Sequence, residues 1–236
     1  MIDFFHTVLY TPIYNLLMGL TDILPGQDIG LAVVVATLIV KVLLMPLSFA
    51  ALRTQRAVKA MEPEMKKIRK DLKDDKEAQA KAIFELYKQY GVNPFAGLLT
   101  LIIQLPIILS LYWVFNSKTL LTVDTSILYS FIPAPEAIAP LFLGIFAVTG
   151  ASITLALLAA LTQFAYGWFA MPVPERSKTP GADMQADFGR AMALQMRFIL
   201  PIFIGIAAYF TSVAIALYFI TSNLVGLVQE FIVRKQ

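Results

Sequence analysis

The 236-residue chain contains no cysteine and a single histidine, His6. Without thiols there is no disulfide framework, no thiolate nucleophile and no cysteine-bearing metal site, and the redox compartment cannot be read. One imidazole with no carboxylates clustered beside it argues against a transition-metal centre, and His6 reads as an interfacial or capping residue. A phosphate-cradling GxxxxGK[ST] loop, a dinucleotide glycine fingerprint and an HExxH helix are all missing from the sequence, so neither nucleotide use nor zinc hydrolysis has support. Serines in the apolar stretches have no histidine to activate them. No cofactor and no enzymatic chemistry are expected. Charge is also scarce, at 15% of residues, and no acidic residue falls inside the long apolar stretches before Glu230. A proton or cation relay normally needs an intramembrane carboxylate, which counts against that class of transporter.

What the chain has in quantity is apolar surface. With 58% hydrophobic residues and a strongly positive mean hydropathy, it is built for lipid. The run Ile29 to Leu52, IGLAVVVATLIVKVLLMPLSFAAL, is long enough to cross a bilayer as one helix and carries one charge, Lys41. At 1.5 Å rise per residue Lys41 sits roughly 18 Å from each end. An intramembrane charge costs about 2.5–3.5 kcal/mol on insertion scales, so it is expected to face water or a partner. The alternative is a lysine that snorkels to the nearer interface.

The rest of the chain divides by composition. Residues 1–24 show Phe4, Phe5, Val8, Leu9, Pro12, Ile13, Leu16, Leu17 and Leu20 at helical spacing, which predicts an amphipathic helix lying in the outer interface. The first span is expected at 28–52. A hairpin of two antiparallel helices follows at 53–92, bearing eleven basic residues, with Met61, Met65, Ile68 and Leu72 as one stripe and Ala82, Leu86 and Tyr90 as the other. Asp74 and Asp75 form its turn and N-cap. Its basic surface suits anionic lipid or ribosomal RNA, or simply retains the loop in the cytoplasm. Asn93 and Pro94 cap a second span at 93–115, in which Gln104 either lines a polar cavity or bonds another helix. Residues 116–151, broken by prolines and glycines, read as an external segment touching the membrane surface. Further spans are expected at 152–171, 196–210 and 213–233, separated by a polar loop at 172–195 and closed by a tail at 234–236.

This makes an all-α membrane protein of five transmembrane helices, with an N-terminal interfacial amphipathic helix and a cytoplasmic helical hairpin. The hairpin, the 172–195 loop with Arg197, and the tail hold seventeen of the nineteen basic residues. By the positive-inside rule they are cytoplasmic and the N-terminus is outside. Scattered neutral polar groups accompany Lys41 in the spans: Gln104, Ser110, Thr162, Gln163, Tyr218, Thr221, Ser222 and Asn223. Tyr218, Ser222 and Gln229 share one helical face. A water-filled groove containing Lys41 would satisfy these groups together. An ion or small-solute channel with Lys41 attracting anions is the competing reading, and a scaffold that only assists folding of helices inserted by the Sec translocon is a third.

The stretches KVLLMPLSF (41–49), NPFAGLLTLIIQLPIILSLYWVF (93–115), LALLAALTQF (155–164), LPIFIG (200–205) and ALYFITSNLVGLVQEFIVRK (216–235), in this order around a charged hairpin, resemble the YidC-type membrane protein insertases. The resemblance covers nearly the whole chain and is to the short, core-only form without a large periplasmic domain. It implies a multi-pass protein of the plasma (inner) membrane with a hydrophilic groove open to cytoplasm and lipid. Lys41 occupies the position of the groove charge, and Gln104, Gln163, Tyr166, Tyr218, Ser222 and Asn223 are the candidate groove residues. The implied partners are nascent membrane proteins with acidic translocated tails, the lipid bilayer, the ribosome and the Sec translocon, with no nucleotide. The client's apolar helix would leave along spans two and four, driven by its own burial in lipid. Lys41 stands where the family usually has arginine, Tyr166 stands where a glutamine is often found with Gln163 one turn earlier, and Ser212 to Ala214 replace a Pro-Ala-Gly turn.

Overall fold

A computed structural model describes residues 6–73, 75–91, 106–115, 120–170 and 190–234. Gln104, the Asn93–Pro94 cap, Asp74, and the greater part of the 172–195 loop lie outside them. The described helices are α1 (Thr11–Ile23), α2 (Ile29–Leu43), α3 (Met45–Ala60), α4 (Glu62–Asp71), α5 (Lys76–Gln89), α6 (Pro106–Phe115), α7 (Ile153–Ala170), α8 (Arg190–Phe210) and α9 (Val213–Arg234). Strands β1 (Leu141–Phe142) and β2 (Phe146–Ala147) form one antiparallel hairpin. Helices α7, α8 and α9 are long and apolar enough to cross a membrane, and α2 with α3 makes a fourth if the two are counted as one broken span.

The run expected as one helix over 28–52 is interrupted. Pro46 has no N–H to give the Val42 carbonyl and its ring crowds that oxygen. The chain leaves helical geometry at Leu44, with φ −86° and ψ 0°, and restarts at Met45. The Leu44 carbonyl then accepts from both the backbone N–H (3.0 Å) and the hydroxyl (3.1 Å) of Ser48. Lys41 therefore sits in the last turn of a helix rather than at the centre of one. A second difference is at α8, which is already helical from Arg190 and not from 196. Residues 190–195, Arg-Ala-Met-Ala-Leu-Gln, are strong helix formers. A π-helical turn at Gln195–Ile199 precedes Pro201, where the wider turn relieves the proline's conflict with the carbonyl four residues back.

The chain forms two compact units. In the first, which contains α1, α2, α6 to α8 and most of α9, α7 packs along α8 through small residues. A Cβ at Gly205 would lie 3.0 Å from that of Ala160, and one at Gly167 would lie 3.3 Å from the Met196 carbonyl. Such residues let backbones approach where lipid gives no hydrophobic drive between helices. Helix α1 packs on α2 and is more deeply embedded than an interfacial helix with one wet face: Tyr14, Leu17, Met18 and Thr21 are fully buried, while Val8 of the expected stripe is exposed.

The cover over α1 comes from residues 120–151, which are threaded by side chain to backbone bonds. Buried Asn15 donates to the Ile127 carbonyl (2.8 Å) and accepts from the Tyr129 N–H (2.6 Å), while the Tyr14 hydroxyl accepts from the Asp124 N–H (2.8 Å). The same segment closes the start of α9. The first N–H groups of a helix have no intrahelical acceptor, and here Val213 and Ala214 donate to the carbonyls of Gly150 (2.8 Å) and Val148 (3.0 Å).

In the second unit, α4 and α5 form an antiparallel pair around Met61, Met65 and Leu86, with Val58, Ile68, Ile83 and Tyr87 packed against them. Asp75 caps α5 by accepting from the Ala78 N–H at 2.9 Å. Tyr90 is not in the apolar stripe; it is exposed, and its hydroxyl donates to the Glu64 carboxylate. Ile83 and Tyr87 take the inward places instead, because they precede and follow Leu86 by one helical turn or less on the face toward α4. Pro63, in the first turn of α4, coincides with a break at Met61, so the first arm of the hairpin is two helices rather than one.

Candidate functional site

Lys41 is placed by α2. At 100° per residue, Gly30, Thr37 and Lys41 fall within about 40° of arc. Gly30 and Thr37 are buried, Lys41 is half-buried, and Leu38, Val42 and Leu43 on the other side are exposed. The lysine thus belongs to the inward stripe of its helix, not to its outer face. Thr37 is satisfied within the helix, its hydroxyl donating to the Val33 carbonyl at 2.7 Å.

The other described candidates come from α7 and α9 in the same unit. Gln163 is 7% exposed and Asn223 6% exposed, values that in an apolar helix require polar partners or water. Asn223 Nδ2 donates to Thr162 Oγ1 at 3.3 Å, and the Thr162 hydroxyl donates on to the Ala159 carbonyl at 3.0 Å. Asn223 therefore joins α9 to α7 rather than standing open. The Tyr166 ring packs against Gly226: a Cβ there would be 2.7 Å from the ring's Cε2, so only glycine admits the ring at this approach. The Glu230 carboxylate, itself 5% exposed, lies within electrostatic reach of the Tyr166 hydroxyl. Tyr218 and Ser222 lie one helical turn apart on the same face of α9. Gln229, on that same face and 4% exposed, has an Nε2 with no hydrogen-bond partner among the described residues, a donor that water can take. At the far end of α7, Arg197 of α8 lies 4.5 Å from the Trp168 ring centre and donates to the Trp168 carbonyl at 3.2 Å.

Chemically this is a set of amides and hydroxyls with one ammonium group on an inward helix face. Among the described residues no cluster of His, Asp and Glu is suited to a metal ion. Such groups bind and hydrate polar chain without bond-making. Of the residues the sequence pointed to, the structure joins Asn223 to Thr162, brings Tyr166 to Gly226 and places Tyr218 and Ser222 one turn apart on one face of α9. Gln104 lies outside the described residues. Asp28, Asn15 and Tyr14, which organise the 120–151 segment, were not singled out as functional, since their partners are backbone groups more than a hundred residues away.

The family model described as 60Kd inner membrane protein matches residues 20–236 of the chain. A Membrane protein insertase YidC of Clostridium tetani (strain Massachusetts / E88) is 30% identical over 211 residues, which is 89% of this chain and 84% of that protein. The chain belongs to the YidC-type insertase family. A YidC of Oceanobacillus iheyensis is 24% identical over 98% of the chain and 83% of its own length. The YidC of Francisella tularensis subsp. novicida (strain U112) is 29% identical over 87% of the chain, but only 32% of that longer protein is covered. The family is one of membrane protein insertases, which are not enzymes.

Proposed function

We propose that this YidC-type chain inserts transmembrane helices of client proteins into the plasma (inner) membrane and assists their folding, using a hydrophilic groove with Lys41 as its charge. The observation that carries the groove reading is Lys41 itself: one ammonium group in an apolar stretch, on the stripe of α2 that also holds buried Gly30 and Thr37. In a wet groove that charge attracts acidic residues of a client's translocated tail and lowers the barrier to drawing a short polar segment partway across. Gln163, Tyr166, Tyr218, Ser222, Gln229 and, from span two, Gln104 offer hydrogen bonds to the same segment, while Asn223 holds α9 on α7. Burial of the client's apolar helix in lipid supplies the driving force, at about 25 cal/mol per Å² of apolar surface, so no nucleotide is consumed.

In this reading the N-terminus is outside, and the hairpin, the 172–195 loop and the tail are cytoplasmic, as the positive-inside rule favours. The hairpin and tail dock the ribosome or the client, with the Sec translocon as a further partner. Photo-crosslinking tests the client's path. A crosslinker at Val40 or Leu44, flanking Lys41, is expected to capture a stalled nascent chain, whereas one at Leu161, exposed on α7, is not. Equal capture from all three would remove the groove as the path. Solute flux through the purified protein, lost in Lys41→Ala and unaccompanied by insertion, would favour the channel instead.

A further inference from the structure

We propose that the turn of the β1–β2 hairpin is a lipid-inserting anchor, with Leu141, Leu143 and Ile145 entering the bilayer at the mouth of the helical unit. In the turn, the Ile145 N–H donates to the Phe142 carbonyl at 3.0 Å, with Leu143 at φ +53° and Gly144 at φ +70° between them. Two consecutive positive φ values define a type I′ turn, whose first central position is the usual place of Asn, Asp or Gly. Leucine there is disfavoured by contact of its Cβ with the backbone. Nothing among the described residues rewards that choice, because Leu143 is 62% exposed and Ile145 beside it 71% exposed. A branched apolar residue in a strained, uncovered turn points to an apolar surrounding outside the chain.

The hairpin's attachment says which surrounding that is. The Asp28 carboxylate accepts from the Leu31 N–H (3.0 Å) at the start of α2 and from the Leu143 N–H (2.7 Å) in the turn. Immediately after β2, the Val148 and Gly150 carbonyls receive the first N–H groups of α9. α9, and α2 together with α3 as one broken span, are long and apolar enough to cross a membrane; taken as spans that begin at these ends, they put the hairpin at the level where the bilayer starts. Its orientation is fixed as well. Paired Phe142 and Phe146 share one face of the ribbon, and Phe142 packs on Gly30 so closely that a Cβ there would be 2.6 Å from its own. Leu141, paired with Ala147, takes the opposite face and is 41% exposed. From residue 137 to 151 there is no charged side chain to resist insertion.

The inference rests on α2 and α9 being spans and not on the groove, and its test reads position rather than insertion activity. Because the chain has no cysteine, Ile145→Cys and Ser126→Cys each give a single labelling site, both at exposed positions. Each variant is labelled with an environment-sensitive fluorophore and reconstituted into phospholipid vesicles with and without spin-labelled lipid. The Ile145 label is expected to emit to the blue of the Ser126 label and to lose most of its emission to the spin-labelled lipid. Emission and quenching equal to those at Ser126 would overturn the proposal in favour of a loop in water. A blue emission that spin-labelled lipid leaves unquenched would overturn it in favour of a protein partner on the turn.

Discussion

Asp28→Ala removes both bonds by which one buried carboxylate joins the start of α2 to the hairpin turn. Loss of an N-cap costs about 1 kcal/mol, and loss of a hydrogen bond to a charged acceptor, here the 2.7 Å bond from the Leu143 N–H, costs about 1.5–3 kcal/mol. Only the second bond breaks when the hairpin opens, so opening should become about 10- to 150-fold easier, while the lost cap weakens the start of α2. Asp28→Asn presents one oxygen, enough for the cap but not for both donors, and should fall between alanine and the parent. Hydrogen exchange of the peptide spanning residues 139–148, measured on protein in lipid nanodiscs, reads this opening directly. The expected order of exchange rates is Ala above Asn above wild type, with the amide of Leu143 most affected. Exchange in Asp28→Ala indistinguishable from wild type would refute the idea that this carboxylate holds the hairpin.

Two further outcomes follow from the packing and the charges. Gly226→Ala places a methyl group 2.7 Å from the Tyr166 ring; the overpacking should cost about 1–3 kcal/mol and lower the thermal unfolding temperature in detergent, and adding Tyr166→Leu should recover part of the loss. The hydrogen bond to the Glu64 carboxylate, with desolvation and the carboxylate's charge, raises the pKa of Tyr90 above the usual 10.0. The folded hairpin thus favours the protonated phenol, and whatever this contact adds is present below pH 10 and fades as pH rises through the raised value. The ultraviolet difference titration of wild type against Tyr90→Phe should place this one phenol above the usual 10.0, and Glu64→Gln should bring it back down.

How much of this was legible in the sequence depends on whether the signal is local. The start of α9 at Val213, the run of α7 from Ile153 to Ala170 and the Asp75 cap are written in short-range apolar runs and capping chemistry. The break at Leu44 was equally local, since Pro46 stands in the motif itself, yet an unbroken apolar run outweighed it in the reading. The 120–151 segment was not legible beyond its prolines and glycines. Its order comes from Asn15, Tyr14 and Asp28 bonding to backbone groups more than a hundred residues away, and such pairings leave no periodic trace. Leu143 even contradicts the turn rules that would have marked the hairpin. For the candidate site, polar residues in apolar helices were visible at once, but not which of them pair. Asn223 is a helix-to-helix tie because Thr162 happens to face it, and Tyr166 lies as it does because residue 226 has no side chain.

The central claim is that the charge of Lys41 meets an acidic client tail. It is tested most directly by insertion of a single-span client into proteoliposomes of wild type, Lys41→Arg, Lys41→Ala and Lys41→Glu, with the client's tail either acidic or neutral. The account predicts that Lys41→Arg retains insertion of the acidic-tailed client, that Lys41→Ala loses most of it and Lys41→Glu more, and that the neutral-tailed client is much less affected. Equal insertion of the acidic-tailed client by wild type, Lys41→Ala and Lys41→Glu would contradict it.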